Sequence, residues 1–131
     1  MRQMEFFLVM DPPRVTAQEH SVTMAGGRPR FFDPPRLKAA RADLTARLVK
    51  KAPEKMFSGP IELVVTWCFP HGRHKPNTYK TTRPDTDNLE KLLKDCMTAA
   101  GYWQDDALVV REIVEKYWTE VPGIRIRVSE L

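Results

Sequence analysis

The sequence predicts a single α+β domain over residues 1–131, a mixed β-sheet with two main helices, and three observations carry that prediction. Residues 61–69, IELVVTWCF, put Ile61, Leu63, Val65, Trp67 and Phe69 at alternate positions, the pattern of a strand with one buried face. Residues 88–100 repeat Leu89, Leu92, Leu93, Cys96, Met97 and Ala100 at helical spacing, the stripe of an amphipathic helix. With 131 residues, 42% of them hydrophobic, the chain can bury the core of one ordinary globular domain.

In chain order, residues 4–10 (MEFFLVM) form a short apolar run that Pro12-Pro13 ends, read as a buried strand. Residues 14–35 show no periodicity and read as a long irregular segment. Pro34-Pro35 introduces a helix over 36–51, where Leu37, Ala40, Leu44 and Leu48 fall on one stripe and most of the basic residues off it. Those bases are either a solvated face or a surface toward DNA. After the 61–69 strand comes a loop, 70–84, with Arg73, Lys75, Lys80, Arg83, His71 and His74 and no acidic residue. The 88–100 helix follows, with Asp87 and Glu90 expected as cap and capping-box partner and Gly101 as its stop. Residues 108–118 and 124–129 read as strands, and the intervening Pro122-Gly123 suits a type II turn. They are expected to form a hairpin with Arg125, Arg127 and Ser129 facing out. The order is β-α-β-α-β-β.

Composition narrows the function. The net charge of +4 favours a polyanionic partner. No apolar run approaches the length of a membrane span, and the N-terminal stretch is not read as a signal peptide. Cys68 and Cys96 have no C-x-x-C spacing and are expected to be reduced core residues of a cytoplasmic protein.

Against this basic background, Asp85, Asp87, Glu90, Asp95, Asp105 and Asp106 crowd into 22 positions. Carboxylates so close repel unless a positive group sits among them, and Lys91 or a divalent cation is the natural candidate. Asp-x-Asp at 85–87, closed from a second direction by Asp105 or Asp106, suits Mg²⁺, which takes oxygen ligands and serves phosphodiester hydrolysis. Lys91 would then balance charge or stabilise the transition state. The plainer reading stands beside it: Asp87 as a cap, Lys91 paired with Asp87 and Asp95 along the helix, and Asp105-Asp106 as turn residues. A calcium loop is a poor fit, because Leu89 and Glu90 stand where it needs a ligand and a glycine. His71 and His74 are not read as metal ligands.

The stretch RPDTDNLEKLLKDCMTAAGYWQDDALVV, 83–110, closely resembles the signature of the RusA-type Holliday-junction resolvases. That signature is Asp-x-Asp-Asn-x-x-Lys, a helix carrying an Asp, a Gly, and an Asp-Asp pair entering a strand. The resemblance extends more loosely to Arg28-Pro29-Arg30 and the closing strands. It implies a homodimeric, Mg²⁺-dependent endodeoxyribonuclease (Mn²⁺ substituting) that cuts four-way DNA junctions, with no membrane role. Carried across by position, it implies Asp85, Asp87 and Asp106 as essential carboxylates, Lys91 as the essential lysine and Asp105 as a further metal ligand. Arg28, Arg30, Arg73, Lys75, Lys80 and Arg83 are the expected DNA contacts. Pro84 stands directly before the first Asp where some members have a base, and Arg83 lies one place back. The rival expectation is a catalytically silent protein that binds branched DNA.

Overall fold

The computed structural model describes residues 2–16, 21–25, 28–32 and 34–131, the second and third of these stretches by their backbone. The strands are β1 (Gln3–Val9), β2 (Ser21–Ala25), β3 (Arg28–Phe32), β4 (Ile61–Pro70), β5 (Thr78–Tyr79), β6 (Val109–Thr119) and β7 (Gly123–Glu130). The helices are α1 (Pro35–Lys51) and α2 (Thr86–Ala99), and a 3-10 turn spans Asp106–Leu108. Five strands make a mixed sheet in the order β1-β7-β4-β6-β5, and β2 with β3 forms a separate antiparallel pair.

The segment expected to be irregular therefore contains a hairpin, Ser21 opposite Phe32 and Ala25 opposite Arg28. Its alternation is too short, and too broken by Pro29 and Gly26-Gly27, to show in the pattern of residues.

β4 is the spine of the sheet. Ile61, Leu63, Val65, Trp67 and Phe69 are all buried and join one core cluster with Leu37, Leu44 and Leu48 of α1 and Leu89, Leu92, Leu93, Cys96 and Met97 of α2. Each such side chain contributes roughly 1.5–3 kcal/mol on burial. Both helices cover this face. The Trp67 indole donates to Glu90 of α2, and the Tyr102 hydroxyl donates to the Leu48 carbonyl of α1. Cys68 and Cys96 are buried free thiols, as expected.

The expected final hairpin is corrected. β6 pairs in parallel with β4, and β7 pairs antiparallel with β4 on its other side, so β4 separates the last two strands. Glu120, Val121 and Pro122 carry the chain past the end of β4. Two strand spacings, about 9.6 Å in all, lie within the reach of such a link. A turn signal reports that the chain reverses, not which strand it lies beside. The apolar inner face of β4 and the half-buried Val64 and Thr66 on its outer face suit a central strand. Gly123 also has a different reason from the one expected: a Cβ there would strike the Phe7 ring and the Leu8 carbonyl of β1.

Because β4 and β6 are parallel, α2 is the crossover between them and runs back along the sheet. Glu90, near its start, meets Trp67 high on β4, whereas Lys94 meets Glu112 lower on β6. Beyond its end, Trp103 bridges to Phe57 below β4. Its fourteen residues, Thr86–Ala99, rise about 21 Å.

Candidate active site

α2 begins two residues earlier than its apolar period suggests, and its first residues are the acidic ones. Asp85 is the N-cap position but makes no side-chain capping bond, and Asp87 lies within the first turn. The expected capping box is thus absent: neither carboxylate is engaged as a cap. Both are exposed. With Arg14, Thr16, Arg83, Pro84 and Asn88 they line a cavity of about 420 Å³. The Arg83–Pro84 peptide is cis, and Lys116 reaches from β6 to donate to the Thr82 and Pro84 carbonyls. The approach to Asp85 is therefore tied to the sheet. Two carboxylates flanked by two guanidiniums form a mixed-charge pocket that can take both a cation and a phosphate oxygen.

Glu90 is the second departure from expectation. Only 3% of it is exposed. Its Oε1 accepts a 2.9 Å bond from Trp67 Nε1, while Oε2 is buried without a partner. Burial pushes its carboxyl up to about 7, with the indole bond pulling the other way. It shares a second cavity, about 290 Å³, with Thr86, Asp87, Lys94, Glu112 and Val114. A carboxyl at the position three after Asp87 reads as a capping partner in sequence; only tertiary contact with β4 reveals it as a core residue.

Lys91 is 64% exposed and its ammonium lies 3.7 Å from Asp95, which also meets Arg41 of α1 at 3.4 Å. The pairing of Lys91 with Asp95 along the helix is thus observed, one turn beyond Asp87.

Asp105 and Asp106 lie elsewhere. They follow the C-terminal end of α2 and precede the start of β6, where Val109 pairs with Ile61. Asp105 Oδ1 accepts from the Ala107 amide at 2.8 Å, capping the 3-10 turn. Asp105 lines a cavity with Met56, Phe57, Ser58, Gln104 and Leu108, not the one that holds Asp85 and Asp87. Among the described residues, no three acidic, histidine or cysteine side chains stand close enough to hold a metal ion. The expectation that Asp105 or Asp106 closes the Asp85–Asp87 group within one chain is therefore corrected. The reason is topological: a parallel βαβ crossover puts the two ends of its helix at opposite ends of the sheet.

The basic residues also divide. Arg73, Lys75 and Arg83 are exposed. Lys80 is not: it is 4% exposed, donates to Thr82 Oγ1 at 2.6 Å and sits over the Trp118 and Phe69 rings. Burial lowers its pKa, with Lys116 and Arg14 adding to the effect. Lys80 holds the loop together rather than offering a free ammonium to DNA. Arg28 and Arg30 belong to the β2–β3 hairpin, and their side chains lie outside the described residues. Arg14 went unnoticed in the sequence, because a lone arginine after Pro12-Pro13 gives no sign that its segment folds over Asp85.

No helix among the described residues is long and apolar enough to cross a membrane. The model of the family described as Endodeoxyribonuclease RusA matches residues 12–129. The chain is 32% identical over 130 residues to a protein of Lactococcus phage r1t named crossover junction endodeoxyribonuclease rusA, covering 97% of this chain and 98% of the relative. It is 26% identical over 121 residues to the uncharacterized protein YqaN of Bacillus subtilis (strain 168), covering 83% of this chain and 84% of that one. A match across nearly the whole fold, from the Asp85–Asp87 pocket to the Asp105-Asp106 turn and beyond, means that the chain belongs to the RusA family of endodeoxyribonucleases.

Proposed function

We propose that the chain is a Mg²⁺-dependent endodeoxyribonuclease that resolves four-way DNA junctions by paired symmetric cuts, acting as a two-fold dimer. The observation that carries this reading is the separation of two acidic halves by the length of α2. Asp85 and Asp87 end one side of the helix, and Asp106 follows the other. A two-fold axis across the sheet edge exchanges those ends. It sets Asp85 and Asp87 of one copy beside Asp106 of its partner, twice, and C2 symmetry is the commonest for homo-oligomers. Among the described residues, β6 pairs with β5 only at Tyr117 and Trp118, so its outer edge below them has no strand partner. Val110 and Ile113 on that stretch are 63% and 47% exposed. An unpaired edge of this length is a template for a second strand, and antiparallel pairing of β6 with its copy makes the required exchange.

The donor set fits a hard cation: all three ligands are carboxylates, two of them in an open pocket. Asp85, Asp87 and the partner copy's Asp106 would hold Mg²⁺, which when bound supplies water activation and charge neutralisation at the phosphate. The chain's own groups do the rest. Arg14 and Arg83 grip the phosphate beside the carboxylates, and Lys91 sets a positive charge one turn away, where charge develops as the bond breaks. The name of the phage relative supports a junction as substrate. Two sites related by one axis match the two-fold symmetry of an open four-way junction.

The test is cleavage of a synthetic four-way junction against a linear duplex of the same arms, with Mg²⁺ and with chelator. Paired cuts in opposing strands, only on the junction and only with the ion, are expected. Equal cutting of the linear duplex contradicts the proposal.

A further inference from the structure

We propose that the outer face of His74, held flat on Trp118, is a stacking site for an unpaired nucleobase at the branch of the DNA. The inference rests on the reading of function above. The two rings lie 3.9 Å apart with planes 3° from parallel. Lys80 backs the indole, its ammonium 4.2 Å from the ring centroid, so the platform has three layers and its innermost member is a cation. The loop around it is built to hold that ring. The His74 amide donates to the His71 carbonyl at 2.7 Å, the His71 ring bonds the His74 carbonyl at 3.1 Å, and the Asn77 amide donates to the Trp118 carbonyl at 2.7 Å. A loop serving only as a carrier of charge needs no such fixed ring.

Position ties the platform to the cutting site. Lys80 also covers Phe69, and Arg14, which lines the Asp85–Asp87 pocket, lies over the same Phe69 ring. His74 itself is exposed and flanked by exposed Arg73 and Lys75. An aromatic plane with basic neighbours is how proteins hold an unpaired base while tracking the backbone, since every base has a π-face. A second stacked pair supplies a natural control. Tyr79 lies 4.7 Å from Tyr117 and is 63% exposed. Adjacent residues of a strand face opposite ways, so Tyr117 and Trp118 present their partners on different sides of the sheet.

The experiment uses a four-way junction with one unpaired 2-aminopurine at the branch, in chelator so that nothing is cut. Binding of the wild-type chain is expected to quench the 2-aminopurine. His74→Phe should keep the quench. His74→Leu, which still covers Trp118 but offers no plane, should lose it and bind the junction about tenfold more weakly, the scale of one stacked base. Tyr79→Leu should behave as wild type. The same quench in His74→Leu as in wild type overturns the site, as does a loss shared equally by Tyr79→Leu. If the wild-type chain binds junction and linear duplex alike, the functional reading fails instead. The same His74 comparison on a single-stranded 2-aminopurine oligonucleotide then decides the stacking site alone.

Discussion

The two ends of α2 carry the same chemistry in opposite settings. At its start, Asp85 and Asp87 are exposed in a pocket shared with Arg14 and Arg83. Past its end, Asp105 caps a 3-10 turn, and Asp106 leads into β6 beside the base of β4. One end is a mixed-charge recess on the side where a parallel strand finishes, the side on which α/β sheets usually bind ligands. The other is a turn on the far side. The difference teaches that a cluster dense in sequence can be two separate groups in space, divided by the helix that joins them. The proposed shared site is the reading in which a second copy brings the two groups together.

The largest expected effect comes from removing a carboxylate at either end. Asp85→Asn, Asp87→Asn and Asp106→Asn should each slow junction cleavage by roughly two to three orders of magnitude, the scale of losing one oriented electrostatic group. Junction binding should hold or tighten, because less negative charge faces the phosphates. If Asp106→Asn cut at the wild-type rate, the far end would be a turn and nothing more. Lys91→Ala should also lose rate far more than affinity. Its stability should change by no more than about 0.5 kcal/mol, the worth of its exposed pair with Asp95. An equal fall in rate and affinity would make Lys91 a phosphate contact.

The buried Glu90, which shares a cavity with Asp87, gives a pH signature. The folded pKa of Glu90, about 7, lies above that of an ordinary carboxyl. As pH rises the unfolded chain therefore releases this proton first. The stability contributed by the neutral, buried form is full below pH about 4.5 and is lost as pH climbs through about 7. The loss amounts to as much as about 3 kcal/mol. Glu90→Gln should keep the Trp67 bond and flatten that slope in denaturant titrations at pH 5 and pH 8. A slope equal to wild type would assign the pH dependence to other groups.

The smallest effect concerns the approach of DNA. Replacing Arg73, Lys75 and Arg83 with Ala should flatten the salt dependence of binding by about 0.9 in log–log slope for each phosphate that is no longer neutralised. Lys80→Ala, by contrast, should lower stability, because that side chain is buried between rings and a hydroxyl. An unchanged slope in the triple variant would move the DNA path toward the β2–β3 hairpin, where Arg28 and Arg30 lie.

What was legible in the sequence followed from periodicity. The alternation of Ile61 to Phe69 and the stripe from Leu89 to Met97 predicted β4 and α2, and the burial of those side chains agrees. The acidic residues stood out by their density, and their candidate roles came from the family resemblance of 83–110, not from periodicity. Strand neighbours were not legible. Pro122-Gly123 looks like a hairpin turn, yet β4 inserts between β6 and β7, a consequence of which strand must be central. Glu90 and Lys80 look like solvent-facing charges, and only packing against Trp67 and Trp118 shows them buried. The distance between Asp87 and Asp106 was hidden for a deeper reason. Nineteen positions of sequence separation say nothing about which end of a sheet each residue occupies.

The most direct measurement co-expresses two inactive chains, Asp85→Asn and Asp106→Asn, and assays the mixture on a four-way junction with Mg²⁺. If each site joins Asp85 of one copy to Asp106 of the other, a mixed dimer has one doubly defective site and one intact site. With random pairing, about a quarter of the wild-type number of sites returns, and each active dimer nicks one strand. If instead each site lies within one chain, both sites of every mixed dimer are defective. Restored nicking is the predicted result, and a mixture as inactive as its components would contradict the shared site.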